Sequence, residues 1–147
     1  MSSPTTPRPR RPARATVVAG SALLAVLTAV AWYGWLGWDH EYQIDPVTGI
    51  ASGPYETWQV VGCVLSLLTL ALAAGILLRP VVPLAVIPPV FTVAWSVDAA
   101  SQDETGLWGV GATMLLIGLL LGAAAVTGVT TPLHDRLIRR RLGTATS

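Results

Sequence analysis

Four apolar stretches, approximately residues 17–38, 55–78, 81–97 and 107–129, constrain this chain most, because none carries a charged residue in its middle. A helix rises about 1.5 Å per residue, so about 20 residues cover a hydrocarbon core of about 30 Å. Three stretches reach that length, and the third falls short. Only 12% of the chain is charged, against roughly a quarter in soluble domains. That excludes an ordinary soluble domain and leaves an integral membrane protein or one very hydrophobic soluble bundle. A single cysteine excludes an intrachain disulfide framework.

The nine basic residues are all arginine, a bias typical of a GC-rich bacterial genome. Arg8, Arg10, Arg11 and Arg14 precede the first stretch, Arg79 sits between the second and third, and Arg136, Arg139, Arg140 and Arg141 follow the last. Seven of the eight acids (Asp39, Glu41, Asp45, Glu56, Asp98, Asp103 and Glu104) occupy the other two breaks, and only Asp135 lies among arginines. Arginine-rich loops stay cytoplasmic. Four spans with both termini cytoplasmic satisfy every arginine at once. All six tryptophans then fall at the opposite, outer boundary, joined by Tyr33, Tyr42 and Tyr55, as an aromatic belt requires.

The reading is therefore all-α: an integral membrane four-helix bundle of the cell membrane, with its third helix kinked by proline. Residues 1–14 form a disordered Arg/Pro-rich cytoplasmic tail, since they bury too little to offset their ordering entropy. Residues 15–130 form the transmembrane domain, and 131–147 a basic cytoplasmic segment. That segment predicts a short surface helix with Thr131 as cap and Pro132 at its first position, drawn to anionic lipid by about 1 kcal/mol per arginine. An alternative stays open for the first span. Arginines, an apolar run and Ala29-Val30-Ala31 also fit a cleaved signal peptide, although the apolar run continues through Trp32.

Turn chemistry marks the outer breaks. Asp45-Pro46-Val47-Thr48-Gly49 reads as a proline-directed turn, and Pro54 with Glu56 opens the second helix. Ser101-Gln102-Asp103-Glu104 fits a capping box for the fourth. Small and polar residues form stripes on two spans. One holds Gln59, Gly62, Cys63, Ser66, Thr69 and Ala73, opposite Val60, Val64, Leu68 and Leu72. The other holds Gly111, Gly118, Gly122 and Ala125. Helices in lipid associate where small residues let backbones approach, so Gly62, Ser66, Gly111, Gly118 and Gly122 are the expected packing positions. Pro88 and Pro89 remove two amide donors and leave the carbonyls of Leu84 and Ala85 to hydroxyls at similar depth, namely Thr28, Ser66, Thr69 and Thr113.

Chemistry is sparse. No intramembrane carboxylate is available for proton-coupled exchange. Cys63 is a lone thiol, His134 has no partner in the sequence, and Asp39-His40-Glu41 diverge because they are consecutive. The one metal candidate is an all-oxygen site for calcium or magnesium from Asp39, Glu41, Asp98 and Asp103, with a solvated acidic face as the simpler reading. No catalytic residue, cofactor or nucleic-acid partner is expected. The partners expected are the bilayer and other membrane proteins or a second copy. The overall plan, with the loop pattern at 45–49 and 53–59, resembles uncharacterised small four-span membrane proteins of high-GC Gram-positive bacteria, a resemblance that implies no activity. The functional expectation is a non-enzymatic subunit, scaffold or stabiliser of a membrane complex; the alternative is a small transporter or channel at the kinked third helix.

The topology has a direct check. In a Cys63→Ala background, single cysteines at Ser52 and Ser101 should react with an impermeant thiol reagent in intact cells, and cysteines at Ser3 and Thr144 should not. The reverse pattern would refute the assignment from arginine placement.

Overall fold

The computed structural model describes residues 14–38, 43–44, 51–52, 55–103 and 106–143, without the side chains of 43–44, 51–52 and 137–143. The described residues are all-helical apart from one short hairpin. The helices are α1 (Arg14–Trp35), α2 (Thr57–Leu77), α3 (Val81–Gln102) and α4 (Trp108–Gly143). Each contains a segment long and apolar enough to cross a membrane. Strands β1 (Gln43–Ile44) and β2 (Ala51–Ser52) pair antiparallel, Gln43 opposite Ser52. The turn read at 45–49 lies outside the described residues, as do the tail at 1–13, Pro54 and Glu104.

Four close contacts fix how the helices lie. Trp35 on α1 covers Gly62 on α2, and Leu78 just after α2 covers Gly20 on α1, so α1 and α2 are antiparallel. Trp95 on α3 covers Gly111 on α4, an antiparallel pair, while Thr130 on α4 covers Gly75 on α2, a parallel pair. Each of α1 and α4 packs against both α2 and α3, yet the backbones of α1 and α4 stay apart. The bundle thus has a tryptophan end, where α1 and α3 finish, and an arginine end bearing Arg14, Arg79 and Arg136.

Local chemistry explains the element ends. Glu56 caps α2 in a reciprocal box: its backbone N–H donates to Gln59 Oε1 at 2.7 Å, and its side chain accepts the N–H of the third helical residue. Between α3 and α4 the expected capping box does not form. Ser101 and Gln102 are still helical, and Ser101 Oγ donates back to the Asp98 carbonyl at 2.7 Å. Nothing between 97 and 102 breaks a helix, so α3 gains a turn and reaches 22 residues. Asp103 ends it, then caps α4 by accepting the Trp108 N–H at 3.0 Å. Gly106 supplies the positive φ of 75° that the reversal requires.

α4 differs most from expectation. It runs 36 residues without a break, through Pro132, instead of yielding to a separate surface helix at Thr131. Thr131 caps nothing; its hydroxyl donates to the Thr127 carbonyl one turn back. The continuation has tertiary support. Thr127 Oγ1 lies 3.0 Å from the Pro80 carbonyl and 2.8 Å from the Ala123 carbonyl of its own helix, two acceptors for its one proton, and His134 Nδ1 lies 2.9 Å from the Ile76 carbonyl, all near the α2–α3 turn. These contacts tie α4 to its neighbours on either side of the proline.

The inward faces only partly follow the small-residue stripes. On α2 the buried line is Gln59, Cys63, Leu67, Ala71, Ala74 and Gly75, with Gly62 and Ser66 half-buried and Thr69 and Ala73 exposed. Val60, Val64 and Leu68 are exposed as expected. On α4 the packed residues are Leu115, Leu119, Ala123 and Val126, while Gly118 and Gly122 are exposed and a Cβ at either meets nothing within 4 Å. Each glycine lies one residue, about 100° of helix, from the packed line. A small residue marks where a neighbour can approach, not that one of this chain does.

The glycine contacts separate on substitution. At Gly62 a Cβ would sit 2.6 Å from the Trp35 ring. Gly62→Val should therefore cost about 1–3 kcal/mol in detergent unfolding. Gly118→Ala, with open space in front, should be neutral or stabilise monomeric protein by up to about 1 kcal/mol. Equal destabilisation by both would contradict the packing.

Candidate functional site at the centre of the bundle

Bulky side chains concentrate where α1, α3 and the start of α2 meet. Trp32 is completely buried (0% exposed), with Phe91 edge-on at 5.4 Å and Tyr55 edge-on at 6.1 Å between centroids. Such edge-to-face pairs add about 0.5–1.5 kcal/mol beyond the area they bury. Pro88 and Gln59 are fully buried too, and Pro89 is exposed. The tryptophans share one end of the bundle but not one role. Trp32 cannot reach a headgroup layer, whereas Trp38, Trp58 and Trp108 are exposed. Trp35 is half-buried on Gly62, with Nε1 donating to Ser66 Oγ at 3.1 Å. Trp58 Nε1 donates to the Glu56 carboxylate.

The hydroxyls expected beside the prolines are occupied elsewhere. Thr28 donates to the Leu24 carbonyl, Ser66 to Gly62, Thr69 to Leu65 and Thr113 to Gly109, each at 2.8 Å and each within its own helix. A hydroxyl has one proton, so none of the four serves Leu84 or Ala85. The residues that do stand out at this level are ones sequence reasoning did not single out for hydrogen bonding. Trp32 Nε1 and Thr92 Oγ1 are buried with no hydrogen-bond partner among the described residues. An unpaired buried donor costs about 1–3 kcal/mol. Thr92 lies four residues after Pro88, whose carbonyl is the acceptor a threonine there ordinarily uses, so nothing in the sequence marks it as unpaired.

The four metal candidates are only partly described. Asp103 is occupied in capping α4. Asp98 is near the end of α3, and Asp39 and Glu41 lie outside the described residues. Among the described residues no three His, Cys, Asp or Glu side chains come together as a metal would require. His134, read as partnerless, is in fact held at the Ile76 carbonyl, a contact across 58 residues that no local pattern reveals. Among the described residues, grooves open between neighbouring helices. One of about 710 Å³ lies between α1 and α2, lined by Val30, Gly34, Trp35, Gly62 and Ser66 among others. A smaller one of about 170 Å³ lies between α2 and α4, with Gly118 and Gly122 on one wall, Val64 and Leu68 on the other, and Ile87 at its base.

No protein family, curated protein or solved structure matches the chain. Its own residues carry the functional argument.

Thr92→Val tests whether the central hydroxyl is idle. The swap keeps the side-chain shape and removes the unpaired donor, so stability should hold or rise by about 1 kcal/mol in detergent unfolding. A loss of that size would show that the hydroxyl holds water or a ligand.

Proposed function

We propose that this chain is a multi-pass protein of the bacterial cell membrane, with both termini cytoplasmic, that works without catalysis as a subunit, scaffold or stabiliser of a membrane complex. The open face of α4 carries this reading. Gly118 and Gly122 are spaced as G-x-x-x-G, and a Cβ at either meets no neighbour. Contact with lipid alone does not call for glycine, which costs about 0.5–1 kcal/mol relative to alanine in a helix. Glycines at this spacing suit close approach of another helix. Met114 and Leu121, exposed at 71% and 69%, widen the apolar surface such a helix would meet.

A second reading, a small transporter or channel at a kinked third helix, draws on a separate observation. Pro88 and Pro89 interrupt the α3 hydrogen-bond ladder, and Trp32 Nε1 and Thr92 Oγ1 find no partner among the described residues at the bundle centre. Interrupted helices beside unpaired polar groups occur at transporter sites.

Purification in mild detergent distinguishes them. Under the complex reading, a membrane protein or a second copy should co-purify with wild type and be lost from the Gly118→Ile/Gly122→Ile variant. An isolated monomer in both cases, together with specific solute flux after reconstitution into liposomes, would overturn it in favour of transport.

A further inference from the structure

The arginine end draws its charge from three separate elements. Arg14 opens α1, Arg79 lies in the turn between α2 and α3, and Arg136 lies on α4. All three are exposed, and among the described residues none has a hydrogen-bond or ion-pair partner. Three contacts set their levels. Leu78 packs on Gly20, Thr130 covers Gly75, and His134 meets the Ile76 carbonyl. Arg79 and Arg136 therefore stand at nearly one level. Arg14, six residues beyond Gly20, lies about 9 Å further out.

What flanks each arginine identifies the ligand class. Val18, one turn from Arg14, is 68% exposed; Leu77 and Val81 on either side of Arg79 are 76% and 56% exposed; Leu133, one turn before Arg136, is 40% exposed. Each arginine thus lies within about one helical turn in sequence of an exposed aliphatic residue. A nucleic acid or an acidic peptide satisfies the charge but makes no use of the aliphatic rim. A phospholipid satisfies both, with phosphate oxygens at the guanidinium fork and acyl chain along the rim below. Asp135 is the only acid on this end among the described residues, so the surface is strongly cationic.

We propose that Arg14, Arg79 and Arg136 form a binding surface selective for anionic phospholipid at the arginine end of the bundle. The inference rests on the membrane reading above and adds a ligand class and three residues to it. Basic sites between helix ends recognise anionic headgroups through short-range charge–phosphate contacts, which salt screens. Continuity of α4 through Pro132 is what brings Arg136 level with the α2–α3 turn. A helix that broke at Thr131 and lay flat would move it away.

The test is thermal unfolding of the full chain in mild detergent, with phosphatidylglycerol or phosphatidylcholine of identical acyl chains added. Phosphatidylglycerol should raise Tm by at least about 3 °C more than phosphatidylcholine. The difference should shrink in 0.5 M salt, roughly five times the ionic strength at which charges screen over about 10 Å. It should vanish in the Arg14→Gln/Arg79→Gln/Arg136→Gln variant and persist, weaker, in the matching triple lysine variant, which also controls for folding. Equal response to the two lipids overturns the proposal. So does an equal Tm rise from a short single-stranded oligonucleotide, which would mark a general polyanion surface. Alkaline carbonate washing of membranes keeps the two readings apart. Release of the chain defeats the membrane reading itself, whereas retention without lipid selectivity defeats only the three-arginine site.

Discussion

Bulky side chains seated on glycines of a neighbouring helix hold this bundle in one arrangement. Trp35 lies on Gly62, Trp95 on Gly111, Leu78 on Gly20 and Thr130 on Gly75, two contacts near each end. The reason lies in hydrogen bonding. An apolar chain must satisfy its backbone within each helix, and here most of its hydroxyls turn back to carbonyls of their own helix as well. Few polar groups are left to bridge helices. Trp35 to Ser66, Thr127 to Pro80 and His134 to Ile76 are such bridges, and shape complementarity does the rest.

This mode of packing divides the helix surfaces unequally. Trp32, Phe91 and Pro88 bury the meeting of α1 and α3, while α4 uses only a narrow line of residues and leaves its G-x-x-x-G open. The two features support different functional readings for the same physical reason. A face with room and no occupant invites a partner helix, and a core with two unpaired donors invites something small and polar. The arginine end is a third region, where charge and aliphatic surface meet at the level of the α2–α3 turn.

Much of the architecture was legible along the chain. The four apolar runs located the four helices to within a few residues at most ends, because uninterrupted hydropathy of this length has few other uses. Glu56 was placed correctly at the start of α2, and Val60, Val64 and Leu68 on its outer face. Gly62, Ser66 and Gly111 came out in interhelical contacts, whereas Gly118 and Gly122 did not. The stripe was seen, but a glycine on a helix says nothing about which neighbour faces it. The Ser101 capping box failed because α3 had no reason to stop before it, and the Thr131 cap failed because tertiary contacts carried α4 past Pro132.

What the sequence determined by itself is therefore the number of helices, where each begins to within a few residues and the segregation of arginine from tryptophan, since these follow from hydropathy and charge, which are properties of residues one at a time. The tertiary structure alone decided that the backbones of α1 and α4 stay apart while both approach α2 and α3, that Trp32 is buried, that Thr92 finds no partner among the described residues, and that His134 reaches Ile76. Each of these is a relation between residues tens of positions apart. Such relations are set by which side chain fits over which glycine, and that fit exists only once the helices have met.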